Sequence, residues 1–306
     1  MELGGVRGPR SGHRPTPVPC PERTLGHIHD RPSACAPSAV RRHDHFTREQ
    51  RPRIARIFIT GSTEGLGKEA ALDLLDDGHE VVLHARNPSR AADLGALTDR
   101  AFGVVVGDLS SAKQTRALTE QVNALGRIDT VIHNAGIYID PERVATAEGH
   151  PRTLAVNVLA PYLLTAEIER PARLIYISSG MLDDGNASLD DLDWTSRRWS
   201  GVQAYCDSKL LVATLAYAVA RRWPDVIGNI VDPGWVPTRM GGPSASDDLT
   251  LGHTTQVWLA ASAEPEATVS GGYWYHRHRR QPIPAASWAG HPWPVPVPGG
   301  HDQRHA

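Results

Sequence analysis

The sequence predicts a doubly wound α/β domain built on a buried, mostly parallel sheet. Three observations predict it. Short β-branched runs alternate with helix-length segments between about residues 54 and 275, the pattern of βαβ units whose strands are covered on both faces. The first run opens into a glycine-rich turn and then a helix. Stretches dense in proline and histidine flank this alternation on both sides.

Taken in order, Ile54 to Thr60 reads as the first strand, and a helix follows from about Leu66 to Asp77. Val81 to Ala85 is the second strand, followed by a helix over Ser89 to Thr98 and a short strand at Val104 to Val106. A helix from about Ala112 to Leu125 leads to a strand at Thr130 to His133. The helix near Thr153 to Glu167 precedes the strand Leu174 to Ile177. A long helix over Val202 to Arg222 precedes the strand Val226 to Val231. The last pair is a helix at Thr254 to Ala261 and a strand at Gly272 to Tyr275. Right-handed crossovers between parallel strands then give a Rossmann-type sheet with helices on both faces.

The composition changes near residues 53 and 276. The segments 1–53 and 276–306 hold fourteen of the twenty-four prolines and ten of the fifteen histidines. Neither shows hydrophobic periodicity, so both are expected to be mostly disordered tails around a single domain at 54–275. The first tail is basic, with ten arginines against five acids, which suits a solvated extension better than a nucleic-acid arm. His43 and His45, like His276 and His278, lack a completing cysteine or carboxylate cluster, so no metal site is expected.

With 40% apolar and 22% charged residues and a formal net charge of -2, the chain has the balance of a soluble globular protein and not of a nucleic-acid binder. The three cysteines, Cys20, Cys35 and Cys206, are too scattered for a disulfide framework or a structural zinc site. That suits a reducing compartment. With no apolar run of about 20 residues and no secretory h-region, the expected location is cytoplasmic, away from any membrane.

The glycine turn reads Thr60-Gly61-Ser62-Thr63-Glu64-Gly65-Leu66-Gly67. Glycines at Gly61, Gly65 and Gly67 let backbone approach a pyrophosphate, and the N–H groups opening the helix from Ser62, Thr63 and Leu66 onward face that anion. Glu64 is expected to point to solvent. The position that often carries an acid for the ribose 2′-hydroxyl instead reads His84-Ala85-Arg86-Asn87. Arg86 is suited to grip a 2′-phosphate, with Lys68 adding charge, which favours NADP(H) over NAD(H). Arg86 also reads as a plain exposed residue after a strand.

In Tyr205-Cys206-Asp207-Ser208-Lys209, tyrosine and lysine stand four apart on a predicted helix and so share one face. Four features accompany the pair in order: the glycine turn, Asn134-Ala135-Gly136 closing the fourth strand, Ser178-Ser179 closing the fifth, and Pro233-Gly234 after the sixth. Together they resemble the short-chain dehydrogenase/reductase family over about residues 54 to 275. The segment Ala204 to Leu210, with the insert between Ser179 and Tyr205, is most similar to its retinol-dehydrogenase-like branch.

The resemblance implies a hydride transfer between nicotinamide and a small-molecule carbonyl or alcohol, with Tyr205 as general acid/base. A neighbouring cation must lower a phenol whose ordinary pKa is near ~10, and the resemblance assigns that role to Lys209 and the oxidised nicotinamide. It gives Ser179, not Ser178, the substrate oxygen, and gives Lys209 the nicotinamide ribose. It gives Asn157, in Val156-Asn157-Val158, a relay water; a helix-interior residue at a local bend is the alternative. Asp108, with Leu109, is expected at the adenine, and Asn134, Ala135 and Gly136 beside the adenosine ribose. Pro233, Gly234 and Thr238 are expected over the nicotinamide and phosphates. Asp108 also suits a helix N-cap, and Pro233-Gly234 an ordinary turn.

Trp194, Trp199, Trp235 and Met240 suit an apolar substrate pocket or, equally, a packed lid. The acidic insert, with Asp183, Asp184, Asp190, Asp191 and Asp193, is expected to be a solvated loop. Two departures from the family stand out. The helix before the fifth strand is expected to end early, near Pro171. The prolines at 292, 294, 296 and 298 forbid the amphipathic helix expected after Tyr275. Family members commonly form dimers or tetramers, so a homo-oligomer is expected by resemblance. A non-catalytic NADP-binding redox sensor is the alternative function; keeping both the tyrosine and the serine argues against it.

Overall fold

The computed structural model describes residues 53–281. The expectations for residues 1–52 and 282–306, including the basic arm, His43, His45, Cys20, Cys35 and the proline run near 292–298, lie outside the described residues. The strands are β1 (Arg56–Ile59), β2 (Glu80–Ala85), β3 (Gly103–Val106), β4 (Thr130–His133), β5 (Arg173–Ile177), β6 (Ile227–Asp232), β7 (Tyr273–Tyr275) and β8 (His278–Arg279). They form one sheet in the order β3-β2-β1-β4-β5-β6-β7-β8, parallel except for the β7–β8 pair. The chain runs outward from β1 to one edge, returns, and runs outward to the other. That reversal opens a crevice at the carboxyl ends of β1 and β4, where such sheets bind ligands.

Alternation of side chains builds a core on each face. In register, Phe58 of β1 lies between Val82 and Val131, and all three pack into one cluster with Leu118, Leu174, Leu211 and Leu215. Their sequence neighbours Ile57, Ile59, Val81, Leu83 and Ile132 face the other way and meet Ala70, Ala71 and Leu74. Each fully buried Leu or Ile contributes about 1.5–3 kcal/mol. No partner face is left for water, which is why the strands read as unbroken apolar runs.

The helices are α1 (Gly65–Asp76), α2 (Pro88–Ala92), α3 (Leu97–Arg100), α4 (Ala112–Ala124), α5 (Arg152–Leu154), α6 (Ala160–Glu167), α7 (Gly201–Arg222) and α8 (Leu249–Ala261). On α1, Gly67, Ala70, Ala71 and Leu74 are buried, the spacing of one helical stripe. Helix α7 is different: Ala204 through Val219 are all buried, so its polar residues enter the protein with it.

Several boundaries differ from expectation, each for a local reason. The helix expected over Ser89 to Thr98 is two short helices, divided where Gly95 takes a φ of 54°. The helix expected at Thr153 to Glu167 carries a π-helical turn, Ala155–Leu159, between α5 and α6. It ends at Glu167, before Pro171, because Asn123 of α4 takes over both ends of the break: its Nδ2 donates to the Glu167 carbonyl at 2.9 Å and its Oδ1 accepts the Glu169 N–H at 3.0 Å. Helix α8 starts five residues earlier than expected, because the Asp248 carboxylate accepts the N–H groups of Thr250 and Leu251. The described part of the expected C-terminal tail is not irregular: residues 276–281 fold back as β8, pairing Tyr275 with His278 and Trp274 with Arg279. His276 and Arg277 make that reversal with φ of 48° and 63°.

Candidate active site

The glycine turn joins β1 to α1 under β4. Gly61 has φ 66°, and a Cβ there would lie 3.0 Å from the Cα and Cβ of Ala135. A Cβ on Gly67 would strike the Asn134 side chain, whose Nδ2 donates to the carbonyls of Thr60 at 2.9 Å and Gly61 at 3.3 Å. Asn134 therefore holds the turn, and Ala135 does so too through its N–H to Thr60 Oγ1 at 2.9 Å. Ser62 is fully buried: its hydroxyl donates to the Ile59 carbonyl and accepts from the His84 N–H, so its side chain faces inward.

His84 locks the turn in a way the sequence did not announce. Its Nδ1 accepts the Gly61 N–H at 2.9 Å while its Nε2 lies 2.8 Å from the Gly107 carbonyl, which fixes Nε2 as the protonated nitrogen. Burial holds this imidazole below its ordinary pKa.

Side chains cap α2, α4, α7 and α8 through Asn87, Ser111, Ser200 and Asp248, but Glu64 places no cap on the first-turn N–H groups of α1. An uncapped helix N-terminus beside a glycine turn is a fit for a phosphate group. Glu64 is exposed, as expected. It pairs with Arg90 at 2.8 Å and with Arg239 at 3.8 Å, and Arg90 also donates to Thr63 Oγ1 at 3.2 Å. Arg86 is exposed and has no hydrogen-bond or ion-pair partner among the described residues. Thr238 lies against Gly65, whose Cβ would meet its Cγ2 at 3.7 Å.

Asp108 does not cap α4; Ser111 does, through the Gln114 N–H. Asp108 Oδ1 instead accepts from Ser110 N and Oγ, and Leu109 is buried in the core. Pro233 and Gly234 follow β6, with Gly234 at φ 82° and its N–H donated to Asp232 Oδ1 at 3.0 Å.

Tyr205 and Lys209 stand on α7, each 5% exposed, beside the end of β5. Ser179 stands beside Tyr205, close enough for its side chain to act on the phenol, and its Oγ accepts the Met181 N–H at 3.3 Å. Lys209 Nζ donates to the Ile177 carbonyl at 3.0 Å and lies 5.5 Å from the Tyr205 ring centroid. Ser178 is turned away, donating to the Lys209 carbonyl at 2.8 Å. Asn157 sits in the π-helical turn. It brackets Ile137, accepting its N–H at 2.9 Å and donating to its carbonyl at 3.0 Å, and also donates to Ser208 Oγ at 3.0 Å. Gly136 keeps the space between them open: a Cβ there would lie 3.4 Å from Asn157 Oδ1 and 3.5 Å from Lys209 Nζ.

Electrostatically, burial dominates. It pushes the Tyr205 phenol above its ordinary value, with the nearby Ser179 side chain opposing and the Tyr138 and Asp232 charges adding to the rise. The lowering expected above was assigned to Lys209 together with the oxidised nicotinamide; from the protein's own groups, burial sets the direction. Lys209 is pushed down to about 8 by burial, against the attraction of Asp232. Tyr138, overlooked in the sequence, meets the Tyr205 ring edge-on at 4.9 Å and donates to Met181 Sδ at 3.9 Å.

Of the four candidate pocket residues, two pack and two stay open. Trp194, at φ 53°, meets Trp199 edge-on at 5.1 Å and is covered by the Arg197 guanidinium at 3.6 Å. Trp235 and Met240 are 52% and 43% exposed. The acids of the insert are partly internal: Arg197 pairs with Asp191 at 3.6 Å and with Asp207 of α7 at 3.0 Å. Among the described residues no helix is long and apolar enough to cross a membrane, and no group of three or more His, Cys, Asp or Glu could hold a metal ion.

A glycine turn after β1, with a tyrosine, a serine and a lysine gathered beside the end of β5, fits an NAD(P)-dependent oxidoreductase, and the comparisons agree. The short chain dehydrogenase family pattern matches residues 55–189. Short-chain dehydrogenase chyC of Penicillium rubens is 41% identical over 235 residues, 76% of this chain and 90% of that protein. Human retinol dehydrogenase 13 is 29% identical over 261 residues, 75% of this chain and 78% of that one. A blue fluorescent protein from a metagenomic library, solved in complex with NADPH, shares the fold with a TM-score of 0.59 at 22% identity, covering 72% of this chain and 94% of that one. The chain belongs to the short-chain dehydrogenase/reductase family and has retinol-dehydrogenase-like relatives.

Proposed function

We propose that this protein is an NADP(H)-dependent oxidoreductase that interconverts a carbonyl and an alcohol, with Tyr205 handling the proton. The observation that carries the reading is the buried pair of Tyr205 and Lys209 on one face of α7, with Lys209 Nζ held by the Ile177 carbonyl at the carboxyl edge of β5 and 5.5 Å from the Tyr205 ring centroid. The nicotinamide would supply or accept the hydride. Gly61, Gly65 and Thr238, with the uncapped start of α1, would hold the phosphates, and Arg86 the 2′-phosphate. Asp108 and Leu109 would border the adenine, and Pro233 and Gly234 the carboxamide.

A phenol held above its ordinary pKa stays protonated at neutral pH, so in the reducing direction Tyr205 has its proton ready to give to the carbonyl oxygen. Ser179 would orient that oxygen. Lys209 offsets the charge left on the phenolate, and Asn157 fixes the helix carrying Lys209 through Ser208. The exposed Trp235 and Met240, on the loop after β6, would border a small apolar substrate.

The test is Tyr205→Phe. Turnover of NADPH against a panel of aldehydes and ketones is expected to fall by about 10²–10⁴-fold, with NADPH binding, read by fluorescence, unchanged. Full turnover in the variant would remove the tyrosine from the reaction.

A further inference from the structure

The carboxylate of Asp232 is 4% exposed, and the reading of Tyr205 and Lys209 gives it no role. Its two oxygens do different work. Oδ1 accepts the Gly234 N–H at 3.0 Å, shaping the turn after β6, and Oδ2 pairs with Arg280 Nη1 at 3.1 Å. Arg280 reaches this point because the β7–β8 reversal brings it back alongside β7, where its N–H donates to the Tyr273 carbonyl at 2.7 Å. Its guanidinium lies 4.3 Å from the Tyr275 ring centroid, stacking that leaves it little freedom.

The pair stands close to the reacting groups. Gly180 follows Ser179, and a Cβ on it would lie 3.2 Å from Asp232 Oδ2 and 3.7 Å from Arg280 Nη1. Glycine here lets a buried carboxylate settle against the chain one residue beyond the substrate-orienting serine. The other titratable groups around it are Lys209 and Tyr205 on α7, Tyr273 and Tyr275 on β7, Asp183 after β5, and Asp247 and His276 against the Pro233–Gly234 turn. Arg280 is the cation that touches Asp232 directly. A carboxylate at this depth without a partner would cast its whole field on the phenol and the ammonium, since little water screens it.

We propose that Arg280 is a positioning residue of the catalytic pair: through Asp232 it fixes the turn at Gly234 and limits the negative field reaching Lys209 and Tyr205. This rests on the reading of those two residues given above. The resulting arrangement makes the C-terminal hairpin, remote in sequence from the tyrosine and lysine, a part that sets their charge balance.

The test needs no substrate. The full chain has three lysines, Lys68, Lys113 and Lys209, so lysine-selective carbon-13 NMR titrates each one, with Lys209 assigned by its loss in Lys209→Met. Arg280→Met leaves Asp232 unopposed and is expected to raise the Lys209 midpoint by roughly 0.5–1 pH unit. Asp232→Asn keeps an acceptor for the Gly234 N–H but removes the charge, and is expected to lower the midpoint by a similar amount. Arg280→Lys is expected to restore the wild-type value. Opposite shifts in the first two variants support the proposal; midpoints unmoved in both overturn it. If Arg280→Met does not fold, Arg280→Gln, which removes the charge and keeps a donor for Asp232, takes its place, and an unmoved Lys209 midpoint there overturns the proposal. These titrations read charge without turnover, so their failure is distinct from that of the Tyr205→Phe test.

Discussion

Asn157 Nδ2 reaches Ser208 Oγ at 3.0 Å, joining the π-helical turn to α7 one residue before Lys209. The same side chain closes two further bonds to the backbone of Ile137, so one buried amide ties together three segments. An extra residue in the turn is what brings the amide to this depth, and such turns concentrate at functional sites.

Replacing Asn157 with Leu keeps the volume and removes every one of these bonds. The Ser208 hydroxyl keeps its bond to the Tyr205 carbonyl, whereas the backbone of Ile137 loses its partners. Each orphaned buried group costs about 1–3 kcal/mol. A lower denaturation midpoint together with lost turnover is the expected result. Lost turnover at unchanged stability would instead point to a direct part in the chemistry.

Arg86 is exposed, and under the proposed function it meets the 2′-phosphate that distinguishes the two dinucleotides. Arg86→Asp is expected to weaken NADPH binding relative to NADH by roughly 10–100-fold, the value of a charge-assisted hydrogen bond. Parallel fluorescence titrations with both cofactors measure it. An unchanged ratio would move the discrimination to Arg90, which at present is occupied by Glu64 and Asp93.

Gly61→Ala forces a side chain onto a residue at φ 66° and 3.0 Å from Ala135. Left-handed backbone at a non-glycine costs of order 1–3 kcal/mol. Thermal unfolding should drop by several degrees, and NADPH affinity should fall more than stability does, because the shifted turn also loses the bond from Gly61 N–H to His84.

Acid should destabilise the fold through its buried histidines. Burial lowers His133 from 6.5 to about 3 and lowers His84 as well. Both are neutral in the folded protein, so their contribution is complete above the unfolded value of 6.5. It is lost as pH falls from there towards the folded value, while the unfolded chain takes up protons. At pH 5 the His133 share alone amounts to about 2 kcal/mol. Urea midpoints between pH 7 and pH 5 test the sign. His133→Phe should flatten the dependence, and an unflattened curve would assign it to other groups.

Much of this was legible because it is local. Strands such as Thr130 to His133 coincide with their β-branched runs, and Tyr205 and Lys209 declare their shared face by their spacing alone. Helix α1 and the glycine turn follow from the same short-range chemistry. What the sequence hides is which distant side chains meet. His84 on Gly61 spans 23 residues, and Asp232 on Arg280 joins two elements by a hairpin that a Pro- and His-rich segment did not suggest. Arg90 carries no motif of its own, and only the folded chain puts it against Glu64 and Thr63. The raised phenol was missed for a similar reason: the spacing of Tyr205 and Lys209 shows attraction between charges, whereas burial, which outweighs it, depends on everything packed around α7.

The two-residue strand β8 bears on which edge of the sheet a second copy could pair with. Parallel strands present a long row of unspent donors and acceptors to any passing chain, and β7 would be such a rim. A run of two antiparallel residues carrying His278 and Arg279, both exposed, offers too little backbone for a neighbour to align with and meets it with charge. Cutting the chain before His278 would bare β7 and invite self-association through that margin.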